Sequence, residues 1–199
     1  MLSAKLKAFE AAYDMLNREL FDNALSRPVI TITPTPHAYG HFTPWKSWEG
    51  ADGKKYCEIN LGAENINRPI INVMATLVHE MVHQYCYEHD LQDTSRGGRY
   101  HNKVFKTEAE KRGLIIEYDK AIGWSPTKPG DALLAMERRG LFKAADGELH
   151  RVQMGVAASG VKKKSSTRKL VCPVCGQSVR ATKEVHIICG DCNERMEEE

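Results

Sequence analysis

The chain has 199 residues, of which 42% are hydrophobic and 27% charged, and its formal net charge is +2. That length suits one domain or two small ones and can bury a core without staples, while no apolar run approaches the ~20 residues of a membrane span. The small net charge hides an asymmetry: from Met1 to Val161 twenty Lys/Arg balance twenty Asp/Glu, whereas Lys162 to Arg195 holds eight basic residues against three acidic ones.

The first segment, Ser3 to Phe21, reads as an amphipathic helix with Leu6, Phe9, Ala12, Tyr13, Leu16 and Leu20 on one face. It does not read as a signal peptide, so the expected location is cytoplasmic, or at the nucleoid in a prokaryote or its virus. After Arg27-Pro28, Val29 to Thr33 alternates as a strand does, and Tyr39 to Trp48 and Lys55 to Leu61 read as two more. The turn Glu49-Gly50-Ala51-Asp52-Gly53 between the last two predicts an antiparallel hairpin. An edge strand here can hold an extended peptide by strand addition. His37, His41, Trp45 and Trp48 are candidates for a cleft wall, the tryptophans equally for the core.

The next helix is the most informative stretch. Asn67 is its expected cap and Pro69 suits its first turn, and Ile70, Val73, Met74, Leu77, Val78, Met81 and Val82 recur at helical spacing. Within it, His79-Glu80-Met81-Val82-His83 is a His-Glu-x-x-His motif. The two histidines lie one turn apart on one face, where both imidazoles can reach one ion. Glu80 is rotated about 100° from His79. There a carboxylate can take a proton from an attacking water. Burying two histidines and a glutamate in so apolar a helix is costly unless they have partners, which favours a metal site over a solvated surface pair.

A catalytic zinc requires a third protein ligand and one open position. His89 has the ten-residue spacing from His79 of the metzincin pattern, but Cys86 stands where that pattern needs a helix-breaking glycine. His101 follows Gly97-Gly98, which permit a sharp reversal, and opens a segment (His101 to Arg112, ended by Gly113) that reads as a helix. The geometry favours His101. Beyond Gly113, Leu114 to Tyr118 reads as a short strand and Asp131 to Arg139 as a helix bounded by Pro129-Gly130 and Gly140.

From Gly147 to Lys169 the periodicity fades into Lys162-Lys163-Lys164-Ser165-Ser166-Thr167-Arg168-Lys169, the composition of a basic flexible linker. Then Cys172, Cys175, Cys189 and Cys192 form C-x2-C-x13-C-x2-C. Four thiolates close a coordination sphere, so this zinc is expected to be structural, and the thirteen intervening residues suit a short hairpin. Cys57 and Cys86 read as ordinary reduced residues in a strand and a helix. Lys162, Lys163, Lys164, Arg168, Lys169, Arg180 and Lys183 are the candidate nucleic-acid contacts.

The runs Leu16-Asn17-Arg18-Glu19-Leu20-Phe21, His79-Glu80-Met81-Val82-His83 and Tyr100-His101-Asn102-Lys103-Val104-Phe105 resemble the SprT-like family, which includes the Spartan-type proteases that degrade proteins crosslinked to DNA. Asn102 stands where that family's last segment often has glycine. The resemblance covers about the first 120 residues and, in outline, the cysteine-rich tail. It implies a third zinc ligand at His101 and an α+β fold: a zincin-like metalloprotease domain, with helices packed on a small, mainly antiparallel sheet, followed by a small zinc ribbon. The expected layout is a protease domain over 1–146, a basic linker over 147–169 and a zinc ribbon over 170–199. The leading functional expectation is a DNA-associated zinc metalloprotease with one catalytic and one structural zinc, Glu80 as general base, and Arg99 or Tyr100 at the oxyanion. The competing readings are a catalytically idle nucleic-acid or protein adaptor and a peptidase of free proteins.

Overall fold

The computed structural model describes residues 1–147, 149–152 and 167–199. The chain divides into two compact units, Met1–Gln153 and Met154–Glu199.

The first unit runs α1 (Leu2–Leu20), β1 (Val29–Thr33), β2 (Gly40–Glu49), β3 (Lys55–Gly62), α2 (Ile70–Glu88), β4 (Thr94–Ser95), β5 (Tyr100–His101), α3 (Lys103–Lys111), β6 (Leu114–Ile116), β7 (Thr127–Pro129) and α4 (Asp131–Arg138). It is α+β. Its main sheet has the order β1-β3-β2, with β2 and β3 antiparallel as the turn implied and β1 parallel to β3. The β1–β3 pair is parallel because the loop after β1 carries the chain across β3 before β2 begins. The register of β2 on β3 shifts between Thr43 and Trp48. Pro44 lies in that interval, and a proline has no N–H to donate to a ladder.

Helix α2 is the centre of the unit. Val73, Met74, Leu77, Val78, Met81 and Val82 are buried, together with Phe9, Tyr13 and Leu16 of α1, Ile59 and Leu61 of β3, Phe105 of α3 and Leu133 of α4. A helix apolar around most of its circumference is stable only when enclosed in this way. Its buried Gln84 is satisfied by Ser26 O, Glu88 and the Tyr13 hydroxyl. Asn67 does not cap it. The cap position belongs to Pro69, whose backbone is extended (φ −44°, ψ 131°), and no side chain serves there. Helix α1 hides two polar residues that the apolar pattern did not mark. The Lys5 ammonium donates to Ala145 O at 2.7 Å, and Asn17 bonds Leu25 in both directions.

The second unit holds β8 (Arg168–Val171), β9 (Ser178–Ala181) and β10 (Glu197–Glu198), in the order β10-β8-β9 with both pairings antiparallel. Strand β8 begins inside the span read as linker, so Arg168 and Lys169 are strand residues. The expected hairpin between the two cysteine pairs is not formed either. Those thirteen residues give the single strand β9, which pairs back onto β8 across the first cysteine pair. Among the described residues no helix is long and apolar enough to cross a membrane.

Candidate metal centres and the cleft of the first unit

His79 and His83 project from one face of α2, and β5 brings His101 to meet them. Their Nε2 atoms lie 3.2 Å (His79–His83), 3.2 Å (His79–His101) and 3.1 Å (His83–His101) apart. Phe105 underlies all three rings, with centroid distances of 4.5 to 4.7 Å. His101 thus belongs to a two-residue strand and not to a helix start. The helix begins after Asn102, whose Oδ1 accepts from the backbone N–H groups of Val104 and Phe105. A glycine at this position could not supply that side-chain acceptor.

The outward nitrogens fix the tautomers. His101 Nδ1 faces the Ile122 carbonyl at 3.3 Å and His83 Nδ1 faces the Asp93 carboxylate at 2.5 Å, both acceptors. His79 Nδ1 lies 2.8 Å from Thr127 Oγ1, which itself donates to Ser125 O and so must accept from the imidazole. Each Nδ1 therefore carries a hydrogen, so in the neutral ring it is Nε2 that holds the free lone pair. Three lone pairs converging at 3.1–3.2 Å repel one another unless a cation sits among them. Tetrahedral zinc, with Zn–N of about 2.0–2.1 Å, sets its nitrogens about 3.3 Å apart, so the cage fits that ion. Burial also holds His79 well below its usual pKa and lowers His101 to about 4, in each case reinforced by a neighbouring imidazole, which keeps both neutral for ligation.

His89 takes no part. It caps the end of α2, stacks on Tyr85 at 4.0 Å and bonds Tyr85 O. The pose of His101 depends instead on a later loop. Its backbone N–H donates to Ile122 O at 2.9 Å, and its carbonyl accepts from Trp124 N at 3.0 Å. Gly123, at φ +75°, makes this possible, because a Cβ there would stand 2.1 Å from His101 O.

Glu80 is buried beside the triad, against edge strand β2. A Cβ on Gly40 would lie 2.8 Å from Asn60 O, 3.1 Å from Thr76 and 3.3 Å from Glu80 Oε1, so only glycine lets the strand approach this closely. Burial pushes the Glu80 carboxyl up to about 7, opposed by His83 and by the backbone N–H of Phe42. The histidines, Glu80, His37, His41, Phe42 and Thr127 share a cleft of about 1040 Å³. Trp45 and Trp48 belong neither to this cleft nor to the core; both are exposed, and Trp48 Nε1 donates to Glu58. Arg99 and Tyr100 do not line the cleft either, and the Tyr100 hydroxyl pairs with that of Tyr118 at 3.1 Å.

Asp93, Thr127 and the carbonyl of Ile122 are the functional groups that sequence reading missed. Asp93 sits in a polar loop with no motif around it. It is positioned by its own carbonyl, which accepts from Asn102 N, while Asn102 Nδ2 donates to Gln92 O. Carboxylates that orient a ligating imidazole raise its basicity and fix its tautomer. Asp93→Asn is accordingly expected to weaken zinc at the histidine site about 10- to 100-fold. Chelator competition measures this, with the cysteine-bound zinc as internal reference. Unchanged affinity would remove Asp93 from the site.

In the second unit Cys172, Cys175, Cys189 and Cys192 bring their sulfurs within 4.8 Å of one another, with Cys175 and Cys189 3.6 Å apart. Tetrahedral zinc with Zn–S of about 2.3 Å sets sulfurs about 3.8 Å apart. Backbone N–H groups of Cys175 and Val174 pull the Cys172 thiol down to about 7, toward the thiolate that binds metal. Cys57 and Cys86 are buried, and burial pushes Cys86 up to about 12.

Of the candidate nucleic-acid contacts, Arg168 pairs with Glu198 and Lys169 with Glu199. Arg180 and Lys183 are exposed, and Lys162, Lys163 and Lys164 lie outside the described residues.

Neither a scan against protein-family models nor searches of curated proteins and of solved structures finds a match for this chain.

Proposed function

We propose that the chain is a zinc metallopeptidase that hydrolyses peptide bonds of proteins bound or crosslinked to DNA. The observation that carries the peptidase reading is the convergence of three histidine Nε2 atoms beside a buried glutamate in an open cleft. His79, His83 and His101 would hold zinc, which would supply Lewis-acid chemistry toward a scissile carbonyl and a water. Glu80, held by the Phe42 N–H, accepts the proton of the attacking water and returns it to the leaving amine. Asp93, Thr127 and Ile122 keep the three imidazoles aimed. The free edge of β2 offers backbone groups to an extended substrate.

The DNA half of the reading rests on the SprT-like resemblance and on the basic excess after Val161. The ion pairs of Arg168 and Lys169 favour a second reading, a peptidase of free proteins, because they neutralise two of the assigned contacts. One experiment separates the two. The full chain is incubated with one substrate protein, either crosslinked to DNA or free, with and without added DNA, at two salt concentrations. The crosslinked form should be cleaved faster, and its advantage should shrink as salt rises. Equal cleavage of free and crosslinked protein at both salts would select the second reading.

A further inference from the structure

Arg68 stands in the cleft with no role in the chemistry above. It is the only Lys or Arg among the described residues that line the cleft. Its guanidinium packs on the Tyr39 ring at 3.8 Å, its Nε donates to Asn65 O at 2.9 Å, and its Nη2 donates to Thr76 Oγ1 at 2.9 Å. The Thr76 hydroxyl gives its own hydrogen to Asn72 O, which leaves its oxygen to accept from Arg68. A guanidinium has five N–H donors, and these contacts use two. No carboxylate among the described residues pairs with it, although burial disfavours its charge. The side chain is thus pinned on one face and two edges, and among the described residues no carboxylate opposes its charge and no protein group takes its remaining donors.

Its position gives it a partner class. Thr76 lies one turn before Glu80 on α2, a spacing of roughly 5–6 Å between Cβ atoms, and a Cβ on Gly40 would meet both residues. An extended peptide advances about 3.3 Å per residue, so a group within one or two residues of the scissile bond reaches Arg68. The two carboxylates lining the cleft are engaged, Glu80 with the Phe42 N–H and Asp93 with His83. We propose that Arg68 is a carboxylate-recognition subsite, taking an acidic side chain or the free C-terminal carboxylate of the substrate segment next to the scissile bond. This rests on the peptidase reading. A pinned guanidinium fork fits the two oxygens of a carboxylate, which a lysine cannot match.

The test uses zinc-loaded full-length protein and two peptide series. One is C-terminally amidated and carries Glu, Gln or Lys at each position flanking the scissile bond. The other has neutral flanks and a free or an amidated C-terminus. One comparison, Glu against Gln or acid against amide, should favour the carboxylate about tenfold or more in kcat/KM, and which one it is identifies the source. Arg68→Gln should bring that ratio close to one, and Arg68→Glu should shift preference to the Lys peptide. If Arg68 merely ties its loop to α2, the variants lower all peptides alike and leave the ratio intact, which overturns the proposal. Loss of DNA affinity with unchanged peptide ratios overturns it too. Glu80→Gln protein supplies a readout without turnover, because it should bind the favoured peptide more tightly only while Arg68 is present. That binding difference without cleavage of any peptide by the parent would uphold the subsite and sink the peptidase reading. Cleavage with no carboxylate preference would sink the subsite alone.

Discussion

Glu80→Gln is expected to lower peptide-bond cleavage about 10²–10⁴-fold, the usual cost of losing a general base, while metal content stays at two zinc ions per chain. Glutamine has the shape of glutamate and keeps an oxygen to accept the Phe42 N–H, so the contact with β2 persists. It lacks the basic oxygen that takes a proton from water. The three imidazoles are oriented by Asp93, Thr127 and Ile122, none of which depends on Glu80. The measurement pairs a peptidase assay with zinc analysis. A Gln variant as fast as the parent would remove Glu80 from the mechanism, and one that lost zinc would show it to be a ligand.

Replacing Cys172 and Cys175 together by serine should unfold the second unit and leave the first intact. The buried cluster of that unit comprises Leu170, Cys172, Cys189 and Met196, so two of its four members are themselves cysteines of the proposed metal site. So small a core cannot offset the chain entropy lost on folding. Structural zinc in comparable small modules supplies about 10–16 kcal/mol at neutral pH. Zinc should fall from two to one per chain, and strands β8 to β10 should become sensitive to protease. Thiol alkylation gives a second readout. Cys189 and Cys192 should become reactive, whereas Cys57 and Cys86 stay protected by burial in the first unit. A tail that stayed protease-resistant in the double variant would show that metal is not what folds it.

The elements of the first unit were readable wherever one interaction dominates. Helices α1, α2 and α4 and strands β1 to β3 follow from apolar periodicity, which reports a face pressed against a core. His79 and His83 were readable because one helix carries both, and His101 because two glycines precede it. The failures share a cause. Asp93, Thr127, Gly123 and Arg68 act through partners 10, 48, 22 and 8 residues away along the chain, and no local pattern encodes such meetings. Asn67 has the composition of a cap, but Pro69 disfavours helical backbone at Arg68 before it, so the helix starts after Pro69 and out of reach of Asn67 as its cap. In the tail the cysteine spacing was legible and the strand pairing was not. Strand β10 lies after the last cysteine, and its two residues, Glu197 and Glu198, show no strand alternation.

The loop that holds His101 also imposes an order of events during synthesis. His79, Glu80 and His83 leave the ribosome first, on a helix whose own apolar faces still await α3 and α4. His101 follows, but Ile122 and Trp124, whose backbones set its pose, emerge later, and Thr127, which aims His79, later again. A nascent chain ending at Arg112 contains all three histidines and the glutamate, yet none of these three groups. Domains fold as units when their last interacting segment is available, so on this reading the emerging polypeptide is kept idle until the body that bears the cleft is nearly whole.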